Sequence, residues 1–304
     1  MTAPPHGPRP DDYALLLLLG LVFGSTYLFI SLGLQTIPPI TLAALRAFVG
    51  FLALFGLTLA FGHAIPRDLR SWRTFALLGF FGGALPFTLM SFAQQRIDSS
   101  LASIIITSMP LFTLALAHAF TDDRASPRKI AGVLIGFGGI LLLLGPAALR
   151  GQSSSLVGQL LYLGVALSYS VMAILVRRLG GGSGTALSRT ACSNAMATLM
   201  VVPLAFLLEQ PAAVSPSLNS IIGVLGLGLL SSTLGQFLVF RLSATAGPNF
   251  ASANNYLGPP VGILWGVLLL SEPITWLRIA AMLVIFAGIA FATTRTGTAR
   301  LATR

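Results

Sequence analysis

The feature that most constrains this chain is a series of ten apolar segments, each about as long as a helix that crosses a bilayer. The segments cover residues 13–35, 39–62, 72–92, 98–120, 128–148, 155–177, 186–208, 217–241, 248–270 and 275–294. About 20 apolar residues span the hydrocarbon core, where only helices and closed barrels satisfy their backbone hydrogen bonds. Charged residues occupy only 9% of the 304 positions, too few for a water-facing surface. The sequence therefore predicts an all-α integral membrane protein with ten transmembrane helices.

The distribution of positive charge predicts how these helices are oriented. Of the 18 Lys and Arg residues, 13 lie in the termini and the even-numbered loops, three lie in the odd-numbered loops, and two lie within segments. The positive-inside rule places both termini in the cytoplasm, where residues 1–12 and 295–304 are predicted to form disordered tails. A nucleic-acid-binding surface is not favoured, because the charges follow loop parity rather than one face.

The chain also contains an internal repeat. A shift of 149 residues aligns residues 79–140 with residues 228–289 without a gap. The two repeats, 13–148 and 155–294, each contain five segments, so the second crosses the membrane upside down relative to the first. Two inverted five-helix repeats are the plan of many transporters.

Several sequence motifs occur in an order typical of one transporter superfamily. They are "FGSTYLFIS" in segment 1, "LAALRAF" in segment 2, "FAQQRIDSSLASIIITSMPLFTLAL" across segments 3 and 4, and "ASANNYLGPPVGILWGVLLLSEP" in segment 9. With these motifs the chain resembles the drug/metabolite transporter superfamily, in its ten-span bacterial branch of EamA repeats, which includes exporters of amino acids such as the aromatic ones. The resemblance implies a central cavity lined mainly by segments 1, 3, 4, 6, 8 and 9. It also implies a place in the bacterial inner membrane.

Two stretches that contain proline are predicted to interrupt their helices. The second repeat has Asn254, Asn255 and Tyr256 before Gly258, Pro259 and Pro260, and the first has Thr107, Ser108 and Met109 before Pro110. A broken helix inside a membrane is tolerated where it lines a cavity, and it exposes backbone groups that can bind a ligand. The polar residues are therefore predicted to bind substrate, and the glycine and prolines to form helix breaks or gates. Hydrogen bonding between helices is the alternative role of such polar residues.

Other polar residues within the segments are further candidates. Substrate-binding roles are predicted for Tyr27, Gln94, Tyr169, Gln236 and Trp265. Arg46 and Arg189 are the charges that fall inside segments. Either could bind a substrate carboxylate, or could reach a segment end and cap backbone carbonyls there.

The eight acidic residues indicate how transport is driven. All lie in tails, loops or segment ends, whereas coupled carriers commonly keep a carboxylate at membrane depth. The sequence therefore predicts alternating access without a coupling carboxylate, with no cofactor and no metal. A proton-coupled drug or metabolite exporter is the alternative, with His118 or an end carboxylate as the proton carrier. An integral-membrane enzyme is the alternative of another class, and only Asp122 and Asp123 beside His118 could serve it.

The candidate residues also indicate the kind of solute. Amides, hydroxyls and aromatic rings with at most two arginines favour neutral or zwitterionic solutes over phosphorylated or cationic ones. With the resemblance, this predicts export of amino acids, the aromatic or large apolar ones first. Beyond the small-molecule substrate and the lipid bilayer, no partner is predicted, and a monomer is consistent with the sequence.

Overall fold

A computed structural model describes residues 9–121, 126–180 and 182–293, and it folds into an all-α bundle. Ten long helices follow one another: α1 Pro10–Gly33, α2 Pro39–Ala60, α3 Leu69–Gln94, α4 Ser99–Phe120, α5 Pro127–Leu149, α6 Ser153–Leu179, α7 Ala186–Leu208, α8 Leu218–Thr245, α9 Asn254–Leu270 and α10 Trp276–Thr293. Within the described ranges, nine are long and apolar enough to cross a membrane. The exception, α9, has 17 residues and follows the short helical turn Pro248–Ala251. The predicted all-α membrane architecture is confirmed.

The ends of the chain differ in part from the predicted tails. Helix α1 begins at Pro10, three residues before the predicted segment, so the predicted tail 1–12 is too long. Pro10 suits the first turn of a helix because its missing N–H has no partner there in any case. The Asp12 carboxylate accepts the Arg9 backbone N–H at 2.9 Å, which closes that turn. Residues 1–8 and the predicted tail 295–304 lie outside the described residues.

The ten crossings give the bundle two faces. We call the face where α1 begins and α10 ends the terminal face, and the opposite one the distal face. At the terminal face, the Thr245 hydroxyl donates to Asp12 at 2.9 Å, and the Arg128 guanidinium donates to the Phe291 carbonyl at 2.9 Å. At the distal face, the Thr36 hydroxyl donates to Ser220 at 2.8 Å.

Small residues allow the repeats to approach each other closely. Helices α5 and α10 meet where a Cβ on Gly132 would lie 2.5 Å from the Gly288 carbonyl oxygen. Helices α1 and α9 meet where a Cβ on Gly20 would lie 2.7 Å from the Leu257 Cβ. Close backbone approach at small residues is the usual mode of packing in a bilayer, because lipid tails supply no hydrophobic drive between helices.

Irregular turns lie at matching places in the two repeats. Wide turns of π type occur at Phe80–Ala84 in α3 and at Gly226–Leu234 in α8, and the repeat shift maps the first into the second. Helix α4 tightens to a 3₁₀ turn at Ile106–Ser108, just before Pro110. Such irregular turns are often found at functional sites.

The predicted break at Gly258, Pro259 and Pro260 is misplaced. Both prolines lie inside α9, and the interruption lies earlier, at 252–253. The prolines nonetheless remove two intrahelical donors, so the carbonyls of Asn255 and Tyr256 have no N–H partner four residues ahead.

Candidate functional site

A cavity of about 250 Å³ lies at the centre of the bundle. Its lining comes from α1, α2, α3, α4, α6, α7, α8 and α9: Phe23, Thr26, Tyr27, Arg46, Gly82, Phe87, Met90, Ile106, Met109, Tyr169, Met172, Asn194, Ser231, Ser232, Gln236, Asn254, Asn255, Gly258 and Pro259. The volume is below the roughly 300–1,000 Å³ typical of sites for drug-sized ligands, which suits a small metabolite. The helices expected to line it do so, joined by α2 and α7.

A second cavity, of about 240 Å³, adjoins the first on the side of the terminal face. The two share Gly82, Met172, Asn194 and Gln236 in their linings, and the second extends to Arg189 near the start of α7. Since α7 begins at the terminal face, the central cavity continues toward that side of the membrane.

Toward the distal face the bundle is densely packed. Ile30, Leu42 and Ile97 are buried between the cavity and that face, and Tyr162 is fully buried beside them. The Gln94 amide links α1, α3 and α6 in this layer, because it accepts from the Ser31 hydroxyl at 3.2 Å and donates to the Tyr162 hydroxyl at 3.5 Å. The route from the cavity to the distal face is therefore closed.

Arg46 is a buried cation with few partners. Its side chain reaches into the cavity and is only 6% exposed. The guanidinium lies 3.9 Å from the centroid of the Phe87 ring, its Nε donates to the Ser232 hydroxyl at 3.4 Å, and one terminal nitrogen lies 3.7 Å from the Met90 sulfur. No Asp or Glu among the described residues pairs with it. These neutral contacts leave most of its five donors available.

Arg189 has the structural role that the sequence left open. One terminal nitrogen donates to the carbonyls of Gly180 at 3.1 Å and Gly182 at 3.4 Å, in the loop before α7. Arg189 therefore lies at the edge of the second cavity and stabilises the loop before α7, whereas Arg46 lies within the central cavity.

The two amides at the start of α9 line the cavity. Asn254 is 7% exposed, and its Oδ1 has no hydrogen-bond partner. An unpaired buried carbonyl oxygen is costly unless something binds it. Asn255, Gly258 and Pro259 also line the cavity. Their spacing puts them on one side of a helix with 3.6 residues per turn.

Four other predicted residues line the cavity and the rest do not. Tyr27, Met109, Tyr169 and Gln236 line it, whereas Gln94, Thr107, Ser108, Pro110, Tyr256, Pro260 and Trp265 are not among its lining residues. Tyr256 packs against the Phe286 ring of α10 with centroids 5.4 Å apart, and the Trp265 indole donates to the Ser25 hydroxyl at 2.9 Å. These side chains hold helices together, as the alternative role of polar residues in membranes supposes.

The hydroxyls of Thr107 and Ser108 are used within α4. They donate to the carbonyls of Ile104 at 2.6 Å and Ile105 at 2.7 Å, and both residues are fully buried. The two hydroxyls therefore satisfy backbone carbonyls of α4 next to the 3₁₀ turn and do not face the cavity.

Several lining residues were not predicted from the sequence. Asn194 is the most informative, because it lines both cavities from α7, a helix outside the expected set. An amide inside an apolar segment was a signal that could have pointed to it. Ser231 and Ser232 reach the cavity from the π turn of α8, which hydropathy does not reveal.

The site offers hydrogen bonding and charge rather than metal chemistry. Within the described ranges, no group of three His, Cys, Asp or Glu side chains could hold a metal ion. Asp122 and Asp123, on which the enzyme alternative depended, lie outside those ranges. None of the described residues that line either cavity is acidic.

Comparisons with known proteins agree with this architecture. The EamA-like transporter family matches residues 13–145 and 156–294, once in each repeat. The uncharacterized inner membrane transporter YedA of Escherichia coli is 26% identical, over 92% of this chain and 90% of that protein. A probable amino-acid metabolite efflux pump of Salmonella typhimurium is 26% identical, over 92% of this chain and 94% of that protein.

A solved structure gives independent support for the fold. A crystallised chain that is 20% identical covers 94% of this chain and 98% of its own length, with a TM-score of 0.65. The family matches cover nearly all of the described bundle and divide it where the repeat does. The protein is a multi-pass membrane protein, and the chain belongs to the EamA-like transporter family.

Proposed function

We propose that this protein exports amino acids through the cytoplasmic membrane, and that Arg46 binds the substrate carboxylate. The observation that carries the proposal is a buried guanidinium that faces the central cavity with no carboxylate partner among the described residues. A charge inside a membrane protein is costly, and it persists where it serves an ion or substrate pathway. A substrate carboxylate would give the Arg46 guanidinium its missing partner, since guanidinium and carboxylate form paired hydrogen bonds.

The opposite polarity is available from α9. The Asn254 Oδ1 has no hydrogen-bond partner, and Pro259 and Pro260 supply no N–H to the carbonyls of Asn255 and Tyr256. An ammonium group has three donors and no acceptor, so it suits this side of the cavity. A cavity with a cationic group and neutral acceptors matches a zwitterion, whereas a single cation is too little for a phosphorylated solute.

The remaining surface favours a bulky apolar side chain. Phe23, Phe87, Met90, Met109 and Met172 contribute rings and thioethers to the lining. Thioethers adapt to irregular shapes and contact aromatic rings favourably. Aromatic and large apolar amino acids are therefore the preferred class, and relatives named as probable amino-acid metabolite efflux pumps are consistent with it.

The charge bias supports loading of the solute from the cytoplasm. With both termini cytoplasmic, the terminal face is the cytoplasmic one. The two adjoining cavities then lie toward the cytoplasm, the side from which a solute for export is loaded.

Counterflow in proteoliposomes tests the carboxylate role. Arg46→Gln should lower counterflow of labelled phenylalanine or leucine by about tenfold or more, the loss expected for a charge-assisted hydrogen bond. Arg46→Lys should retain only part of the activity, because it keeps the positive charge but cannot form the paired hydrogen bonds of a guanidinium. The matched control is Arg189→Gln, which removes the other arginine of the segments and should change counterflow by less than about threefold.

Substrate analogues sharpen the same experiment. Phenethylamine lacks the carboxylate, so it should compete poorly in the unmodified protein and gain relative to phenylalanine in Arg46→Gln. A well-folded Arg46→Gln protein with unmodified phenylalanine counterflow would refute the carboxylate role.

A further inference from the structure

Two glutamates cap the starts of helices at the distal face. The Glu272 carboxylate accepts the backbone N–H groups of Ser99 and Ser100, both at 2.8 Å. The Glu209 carboxylate accepts those of Ile40 at 3.0 Å and Thr41 at 2.7 Å. Both bind the positive end of a helix dipole with charge-assisted hydrogen bonds, so the chemistry of the two contacts is the same.

The two contacts differ in the helices that they join. Glu209 ties the end of α7 to the start of α2, and buried residues of these helices, such as Ala47 and Val201, pack together along their length. Glu272 ties the end of α9 to the start of α4. Helix α9 packs against the first half of α4, Ser99–Ile105, whereas the second half, Met109–Phe120, packs against α5 and α6.

Helices α4 and α9 therefore converge at the distal face. Toward the terminal face they diverge, and the cavity lies between them. Met109 of α4 and Asn254 of α9 both line the cavity, while Ser99 and Glu272 meet at the distal ends of the same two helices. Ile105 of α4 belongs to the same buried cluster as Ile30 and Leu42, so a separation of those ends would disturb the layer that closes the distal face. The Glu209 contact joins helices that pack together along their length, whereas α4 and α9 pack only over the first half of α4, so the Glu209 contact holds no passage closed.

The backbone around Glu272 is specialised for this contact. Ser271 has a left-handed φ of 54°, which is uncommon for a residue with a side chain. It lets the Glu272 N–H return to the Gly266 carbonyl at 3.0 Å and folds the side chain over Gly266, where a Cβ would collide with the carboxylate. Strained residues of this kind persist where the surrounding structure demands them, often at switch regions.

Arg278, in the first turn of α10, adds a second tie to the start of α4. Its guanidinium pairs with the Asp98 carboxylate at 2.7 Å and lies 3.4 Å from the Ser100 hydroxyl. Both side chains are partly exposed, so water can replace these bonds when the ends separate.

We propose that the contact of Glu272 with Ser99 and Ser100 is the latch of the distal gate, which is closed here and must break when the cavity opens to the distal face. The latch depends on transport by alternating access and not on which solute is carried. Its hydrogen bonds can be exchanged for water, so the closed state is held reversibly. The Glu209 contact is a static helix cap.

Spin-label distances at the distal face test the latch without any substrate. Cysteines that carry nitroxide labels replace the exposed residues Gln95 and Ile274 in a Cys192→Ser protein in nanodiscs. Pulsed electron paramagnetic resonance then measures the distribution of distances between the two labels. Glu272→Gln should raise the ratio of long-distance to short-distance populations by about tenfold, because the charge-assisted bonds are lost. Glu209→Gln is the matched control and should leave the distribution unchanged.

Two further variants keep the carboxylate and weaken the latch. Ser99→Pro removes one donor at the first position of α4, where proline is well tolerated, and the ψ of 154° at Asp98 suits a residue before proline. Gly266→Ala displaces the Glu272 side chain. Both should shift the distribution in the same direction by about threefold.

The outcomes separate a latch from a cap. Unchanged distributions in Glu272→Gln and Ser99→Pro would overturn the proposal, as would an equal shift in Glu209→Gln. If Glu272→Gln does not fold, Ser99→Pro and Gly266→Ala decide the question. Loss of amino-acid specificity in the Arg46 variants leaves this result untouched, because no solute is present.

Discussion

The two faces of the bundle are built from the same plan and tied together differently. At the distal face, two carboxylates cap helix starts, an ion pair joins Asp98 to Arg278, and a buried apolar layer lies beneath. At the terminal face, the contacts are between loops and helix ends, such as that of the Asp68 carboxylate with the Ser183 hydroxyl at 2.7 Å. Two adjoining cavities lie behind them.

This difference separates the repeats although their sequences align. Helix α4 has 22 residues and starts with a capped turn, whereas its repeat partner α9 has 17 residues and starts after an interruption at 252–253. Inverted repeats with two different conformations are how a transporter exposes one site to one side at a time. The two conformations of the repeats fit this scheme.

The largest expected effect is one-sided access to the cavity. A cysteine at Asn194, which lines both cavities, in a Cys192→Ser protein should react with an impermeant maleimide at least about tenfold faster from the terminal face than from the distal one. The measurement compares right-side-out cells with inverted vesicles, and the charge bias predicts faster labelling in inverted vesicles.

A cysteine at the exposed Ser154, in the first turn of α6 at the distal face, is the control. It should react from the opposite side. Labelling of both cysteines from the same side would contradict the topology, and equal labelling of the Asn194 cysteine from both sides would contradict the closed distal face.

A smaller effect is expected from Asp68 at the terminal face. Hydrogen bonds from the Ser183 hydroxyl and the Ser71 N–H lower the pKa of this carboxyl to about 2. A carboxyl whose pKa falls below its unfolded value of about 3.9 adds stability above that pH and loses it as pH falls toward 2. Asp68→Asn should therefore lower the melting temperature of the purified protein slightly and equally from pH 5 to pH 8.

That difference between Asp68→Asn and the unmodified protein should shrink below about pH 4. Scanning calorimetry in detergent across this range checks it. A difference that grows with acid would show that another group controls the stability of this face.

The smallest expected effect concerns the region between the faces. The acidic residues described above lie at the two faces, and none lines the cavities within the described ranges. Downhill amino-acid flux in proteoliposomes should therefore change by less than about twofold when the pH gradient is collapsed at a fixed substrate gradient. A flux that stops under these conditions would favour the proton-coupled alternative, with His118 or an end carboxylate as the carrier.

The two arginines show where inference from sequence reaches its limit. Arg46 and Arg189 were equivalent in hydropathy and both lie near segment ends, yet one enters the cavity and the other caps loop carbonyls. Likewise, Asn254 and Asn255 of the NNY stretch line the cavity, whereas Tyr256 faces α10 because it lies on another side of the helix. Direction around a helix depends on its neighbours, and hydropathy does not record them.

The sequence by itself determined the all-α membrane architecture, the two inverted repeats and the transporter family. These follow from segment length, apolar composition and the repeated order of motifs, all of which are read along the chain. Only the tertiary structure decided which face is closed, which polar groups share the cavity, and that Glu272 and Glu209 serve contacts of the same chemistry between differently packed helices. Each of these depends on groups more than 150 residues apart that packing brings within hydrogen-bond distance, as in the contacts of Ser99 with Glu272 and of Thr41 with Glu209.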